Sequence, residues 1–200
     1  MKRIKDKFNT YIKEKSKFGI ASDIVFIMLL IAMLIPASRT EVIVFTRKLI
    51  MLQPRVEEQN TESLTEADYS WNYQSLDGDV RNFKELKGKI VFLNLWATWC
   101  PHCIAEFPSI QRLYDAQSQD VAFLLLTNES PEKVKAFMEK EGYTFPVYLT
   151  YQTLPEILDS RSIPATFLIS QDGEIRIKKT GAANWNGDNV HNLIAKLLAE

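Results

Sequence analysis

Sulfur and imidazole are scarce in this chain: its 200 residues hold two cysteines, Cys100 and Cys103, and two histidines, His102 and His191. So few cysteines exclude a scaffold stapled by several disulfides. A zinc site needs four ligands, and beyond the Cys-x-x-Cys and His102 the chain offers only His191, inside a helix-like stretch, so no metal is expected. A basic patch with interleaved aromatics is missing from residues 57–200, which removes nucleic acid from the partners to consider. There is no internal repeat and no low-complexity tract. Long apolar runs are short as well: the uninterrupted run Ile24 to Ala37 has 14 residues, too few for a bilayer core of about 30 Å.

What is present divides the chain in two. The net charge of −1 conceals a basic head, with 11 Lys and Arg against 4 Asp and Glu in residues 1–56, and an acidic body, with 13 against 21 in residues 57–200. Seven of the basic residues precede Phe18. That pattern predicts a cytoplasmic tail (1–17) and one transmembrane anchor (18–38) that places the body in the periplasm or otherwise outside the cytoplasm. The span must include Phe18 to Ser22 or continue past Ser38 to be long enough. A cleaved signal peptide is the competing reading, and Ile35-Pro36-Ala37 makes a poor small-x-small cleavage site. Residues 39–64 read as an interfacial helix and linker. Val42, Phe45, Leu49 and Leu52 fall at helical spacing, which equally suits a continued span or packing on the body, and the acidic Gln53 to Asp68 reads as a tether.

Residues 65–200 are long enough for one domain with its own core. Asp77-Gly78 between Tyr73 and Val80 predicts a hairpin, and Asn82 caps a short helical turn that ends at Gly88. Ile90 to Trp96 is an almost wholly apolar strand, expected inside a sheet covered on both faces. A helix from Cys100 to about Ser118, bent at Pro108, leads to a second buried strand, Val121 to Thr127. Ser130-Pro131 opens a helix with Val134, Phe137 and Met138 inside, and Gly142 ends it. Strands at Phe145 to Thr150, Ala165 to Ser170 and Glu174 to Thr180, a short helix at Leu154 to Asp159 and a final helix from Asp188 complete an α/β domain with a mixed sheet.

The two cysteines lie where the apolar strand passes into the helix. There Cys100 meets the unpaired N–H groups and partial positive charge of the helix start, which favour thiolate, the attacking species. Pro101 suits the first helical position, and His102 sets an imidazole beside the sulfur. Cys103, one turn on and about 5–6 Å away at Cβ, is placed to resolve a mixed disulfide. Glu106, a further turn along, is a candidate acceptor for the Cys103 proton, or else a solvated helix glutamate. An exposed, readily ionised Cys100 is the expectation on which this chemistry stands.

With Trp96-Ala-Thr-Trp-Cys-Pro-His-Cys103 in place, the body resembles thioredoxin-fold proteins, and in particular the TlpA/ResA group of membrane-anchored thiol-disulfide oxidoreductases. Glu106-Phe107-Pro108 and Ser162-Ile-Pro-Ala-Thr-Phe-Leu-Ile169 strengthen the likeness, as does the helix and strand inserted between Pro131 and Thr150. The resemblance implies a thioredoxin-like fold with an N-terminal hairpin, a redox-active Cys100–Cys103 disulfide in place of any cofactor, and a proton-handling role for Glu106. It further implies a cis Ile163–Pro164 bond shaping a substrate edge, with Trp99, Pro101, His102, Ile163 and Pro164 around the client. Trp96 suits groove and core equally. The implied partners are client proteins with thiols or disulfides, apocytochromes among them, and a membrane or periplasmic redox partner.

Two departures open alternatives. Asn94 stands where thioredoxin keeps a buried aspartate, which leaves Glu106 as the proton-handling candidate. Pro-His between the cysteines is the DsbA dipeptide, so an oxidant that installs disulfides competes with a reductant. Potentials in this fold run from about −270 to −120 mV. A copper(I)-handling module using the cysteines and a histidine is a third reading.

Overall fold

A computed structural model describes residues 22–23, 25–28, 53–54 and 62–200. The chain forms two compact units, Met1–Phe45 and Thr46–Glu200. In the first, the described residues are helical, and Val25, Phe26, Ile27 and Met28 are more than half exposed. The remainder of the expected anchor, the basic tail and the interfacial stretch lie outside the described residues. Among the described residues no helix is long and apolar enough to cross a membrane.

The second unit is built on a seven-stranded mixed sheet. Its strands are β1 (Asn72–Ser75), β2 (Val80–Asn82), β3 (Ile90–Leu95), β4 (Val121–Thr127), β5 (Val147–Leu149), β6 (Ala165–Ile169) and β7 (Ile175–Thr180), and they lie in the order β2-β1-β5-β4-β3-β6-β7. Among the described residues three α-helices accompany them: α1 (Pro101–Gln117), α2 (Pro131–Glu141) and α3 (Asp188–Ala199). The expected hairpin, buried central strand, inserted helix-strand pair and closing hairpin are all present. The expected helix after Leu154 shortens to a 3-10 turn, Glu156–Leu158.

Topology decides where the helices go. β3, β4 and β5 are parallel and step across the sheet in one direction. Right-handed crossovers that step the same way put α1 and α2 on the same face. Phe107, Ile110 and Leu113 of α1, Val134 of α2, and Val190, Leu193, Ile194 and Leu197 of α3 accordingly share one cluster with Ile90 and Phe92 of β3. Val91, Leu93 and Leu95 face the other way, toward Tyr69, Trp71, Phe83, Leu154 and Leu158. Each buried Leu or Phe side chain contributes about 1.5–3 kcal/mol.

Local signals end the elements as their residue types require. Asn82 Oδ1 accepts from Lys84 N at 3.0 Å, and Gly142 leaves α2 at φ 73°, the left-handed conformation open to glycine. Pro108 sits inside α1, where it removes one backbone hydrogen bond.

The expected tether is tied to the body at both of its described ends. Ser63 bridges Glu174, the Ile175 amide donates to Glu62 O at 2.8 Å, and Lys178 pairs with Glu62 at 2.7 Å, so residues 62–64, assigned to the linker, lie along β7 as part of the body. Asn189, at the start of α3, donates to Pro54 O and lies 3.4 Å from Gln53 Oε1 through its amide.

Candidate active site

Strand parity and helix start together assemble the site. β3 delivers the chain to a turn at 96–99, and Cys100 becomes the N-cap of α1 with Pro101 at its first position. Cys100 and Cys103 form a disulfide with Cα atoms 5.3 Å apart, and the Cys103 amide donates to Cys100 Sγ at 3.2 Å. That N–H lies in the first turn of the helix, where it is shared with Cys100 O at 3.1 Å, and it would stabilise a thiolate on Cys100.

The turn before the cysteines is held by a residue the sequence did not single out. Glu129, from the loop after β4, accepts from both the backbone N and the hydroxyl of Thr98, and pairs with Lys133. These partners hold its carboxyl below the usual range against the opposing effect of burial. Trp99 follows and is 67% exposed, whereas Trp96 is buried on Phe107 and Phe137. Of the two uses weighed for Trp96, the core contact dominates.

The Ile163–Pro164 bond is cis, and Ile163 O lies 3.8 Å from Cys100 Sγ. Pro164 is buried and Ile163 half-buried; Pro101 and His102 are half-buried on the first turn of α1. An open groove of about 500 Å³ runs from this point between Trp99, Leu126, Tyr151, Leu154 and Ile163. Cys100 itself keeps only 3% of its surface. The expectation of an exposed sulfur is therefore corrected for the disulfide form, in which Cys100 is almost wholly buried, with Ile163 O beside its Sγ.

Glu106 is not a solvated helix glutamate. It is completely buried, as is Cys103 three residues before it on the same helical face. Its Oε2 accepts from Trp185 Nε1 at 3.0 Å and from the Ala183 amide at 3.2 Å, and its Oε1 accepts from Asn94 Nδ2 at 2.9 Å. Removal from water opposes the charged form more strongly than these donors favour it, and the carboxyl is pushed up to about 7. Asn94 reaches it because alternate residues of β3 point to the α1 face, and Thr166, its cross-strand partner, accepts from the same amide at 2.7 Å. Asn94 Oδ1 has no hydrogen-bond partner among the described residues.

The loop after β7 supplies the other donors. The Gly181 amide donates to Pro164 O at 2.8 Å, Ser109 Oγ donates to Glu106 O at 2.7 Å, and the Trp185 amide donates to Ser109 Oγ at 3.1 Å. Sequence reading missed Trp185, Ala183, Ser109 and Thr166. An aromatic in the polar run Asn184-Trp-Asn-Gly187 was the available sign.

His191, the remaining candidate metal ligand, lies at the other end of α1. It contacts Gln117, the last residue of that helix, at 3.3 Å and Asn186 at 3.0 Å. A helix of 17 residues is about 25 Å long, too far for this imidazole to join Cys100 in one coordination sphere.

A profile of the AhpC/TSA family matches residues 67–178. Thiol-disulfide oxidoreductase ResA of Halalkalibacterium halodurans is 34% identical over 113 residues, a stretch that spans 54% of this chain and 63% of that protein. ResA of Bacillus subtilis is 36% identical over 125 residues, 60% of this chain and 70% of the relative. A thioredoxin-family thiol:disulfide interchange protein from Chlorobium tepidum superposes with a TM-score of 0.57 at 23% identity, over 70% of this chain and 99% of its own, and so shares the fold.

Proposed function

We propose, from the premise that this chain belongs to the AhpC/TSA family as a ResA-like member with the thioredoxin fold, that it exchanges thiols and disulfides with client proteins and runs as a reductant outside the cytoplasm. The observation that carries the reading is the Cys100–Cys103 disulfide at the first turn of α1, with the Cys103 N–H on Cys100 Sγ and the Ile163–Pro164 edge beside it.

In the reduced enzyme the Cys100 thiolate attacks one sulfur of a client disulfide, forming a mixed disulfide and releasing the other client sulfur as thiolate. Cys103 then gives its proton to Glu106 and attacks Cys100 Sγ, which closes the enzyme disulfide and releases the second client thiolate. Two electrons pass to the client, whose thiolates take protons from solvent. The cysteine pair stores the electrons, so no cofactor is required. Trp99, Pro101, His102, Ile163 and Pro164 form the rim against which the client lies.

The basic tail, residues 1–17, before residues 18–38 supports a single-span anchor, and the acidic tether supports a body held near, not in, the bilayer. Clients with a buried or vicinal cysteine pair, apocytochromes included, and a membrane-borne electron donor fit that placement. Pro101-His102 favours the opposite direction, a DsbA-like oxidant, and one measurement separates them. Equilibrating the full chain in detergent against glutathione and dithiothreitol buffers should give a midpoint nearer −270 than −120 mV, about five decades apart in a two-electron equilibrium. A value at the oxidising end reverses the assigned direction. Cys103→Ala should accumulate clients on Cys100 as adducts that dithiothreitol releases; an empty lane on non-reducing gels counts against exchange altogether.

A further inference from the structure

Glu106 has two oxygens in unequal surroundings. Oε2 is occupied by two donors, the Trp185 indole and the Ala183 amide, whereas Oε1 has, among the described residues, the Asn94 amide alone. A carboxylate oxygen already accepting two hydrogen bonds is a poor proton acceptor, and the one with a lone pair to spare is the better. We propose that Trp185 is a positioning residue for the resolving step: its N–H, together with the Ala183 amide, saturates Oε2 and so directs the Cys103 proton to Oε1. The inference rests on the thiol-disulfide exchange proposed above.

The surroundings of the two groups suit this division. Trp185 is fully buried and meets Phe92 edge-on at 5.1 Å, so the ring has one orientation to offer. Its backbone is clamped to α1 through Ser109, and the loop it stands on is tied at Gly181 to Pro164. Once Oε1 is protonated it becomes a donor facing Asn94. A half-turn of the Asn94 amide then presents Oδ1, which has no hydrogen-bond partner among the described residues before the turn, and Thr166 can donate to the same oxygen through its hydroxyl. The site thus holds either protonation state without losing a bond at Oε2.

Few charged groups face Glu106. Residues 181–187 carry no ionisable side chain, β3 and β6 present Asn94 and Thr166, and the ionisable neighbours along its own helix are His102 and Cys103. Its titration is consequently governed by burial and by the three donors.

The experiment uses the reduced full chain and a chromogenic aryl disulfide, which releases one aryl thiolate when Cys100 attacks and a second when Cys103 resolves the adduct. The second phase should inflect near pH 7 in the wild type. Trp185→Phe keeps a ring against Phe92 and removes the N–H. Its second-phase inflection should move up by about one pH unit, making resolution at pH 6 roughly tenfold slower, and Glu106→Gln should abolish the inflection with or without Trp185→Phe. A uniform slowing at every pH, with the inflection unmoved, marks a packing role only and overturns the inference. Should Trp185→Phe fail to fold by near-ultraviolet circular dichroism, Ser109→Ala, which frees the loop and leaves the indole, must move the inflection in the same direction; no movement overturns it equally. Absence of the first phase in the wild type would instead sink the exchange reading itself.

Discussion

Replacing Glu106 by Gln should stabilise the protein at neutral and alkaline pH and do little in acid. The carboxyl rises from an ordinary 4.5 to about 7 on folding because it is completely buried, and the difference corresponds to about 3 kcal/mol. The folded state then binds the proton more tightly than the unfolded one, so between pH 4.5 and 7 the native protein holds more protons and loses stability as pH rises. Below 4.5 both states are protonated and the contribution is complete; above about 7 it is gone. Glutamine is neutral throughout. Its carbonyl can keep the Trp185 and Ala183 bonds, and its NH2 can meet Asn94 Oδ1 after the Asn94 amide turns; that turn moves the unpartnered position from Asn94 Oδ1 to Asn94 Nδ2, as it does for the protonated wild-type carboxyl, so the two proteins share its cost in acid. Urea unfolding of oxidised wild type and variant from pH 4 to 9 should give stabilities that coincide near pH 4, diverge by about 1.4 kcal/mol per pH unit, and level off about 3 kcal/mol apart above pH 7. A constant offset across that range, or a gap that opens toward acid, would falsify the account of Glu106 as a buried, reluctantly ionised group.

Other substitutions probe the frame around it. Asn94→Asp sets a second carboxyl against Oε1, and since two adjacent carboxylates cannot both ionise readily, the inflection of the resolving phase should rise above that of the wild type in stopped-flow traces. Glu129→Ala removes both bonds to Thr98 two residues before Cys100; a loss of about 1–3 kcal/mol in chemical unfolding is expected, with slower first-phase attack as the turn loosens. Gly173 adopts φ +87°, and a Cβ there would lie 2.8 Å from the Tyr69 hydroxyl, so Gly173→Ala should cost about 1–2 kcal/mol by the same assay while leaving exchange rates per folded molecule unchanged.

The parts of the site that were legible in advance are those whose cause is local. Cys100, Pro101 and Cys103 announce a helix start because the N-cap geometry and the missing proline N–H involve only consecutive residues. Asn82 and Gly142 mark their boundaries for the same reason. Glu106 was legible as a candidate through its spacing from Cys103, but spacing is indifferent to solvent, and a surface glutamate would show the same pattern. Its burial depends on Trp185, 79 residues away, and on a strand parity that turns Asn94 rather than Leu93 toward α1.

The sequence by itself settled that a reactive-type cysteine pair would stand on a strand-to-helix junction in an α/β domain, since periodicity, capping and turn chemistry act between near neighbours. Only the tertiary structure decided that the carboxyl beside that pair would be buried, that an indole would donate to one of its oxygens, and that Cys100 would be almost wholly buried in the disulfide form. Those properties arise from what surrounds a group on all sides, and residues far apart in the chain become neighbours only when the sheet orders its strands and the helices close over one face.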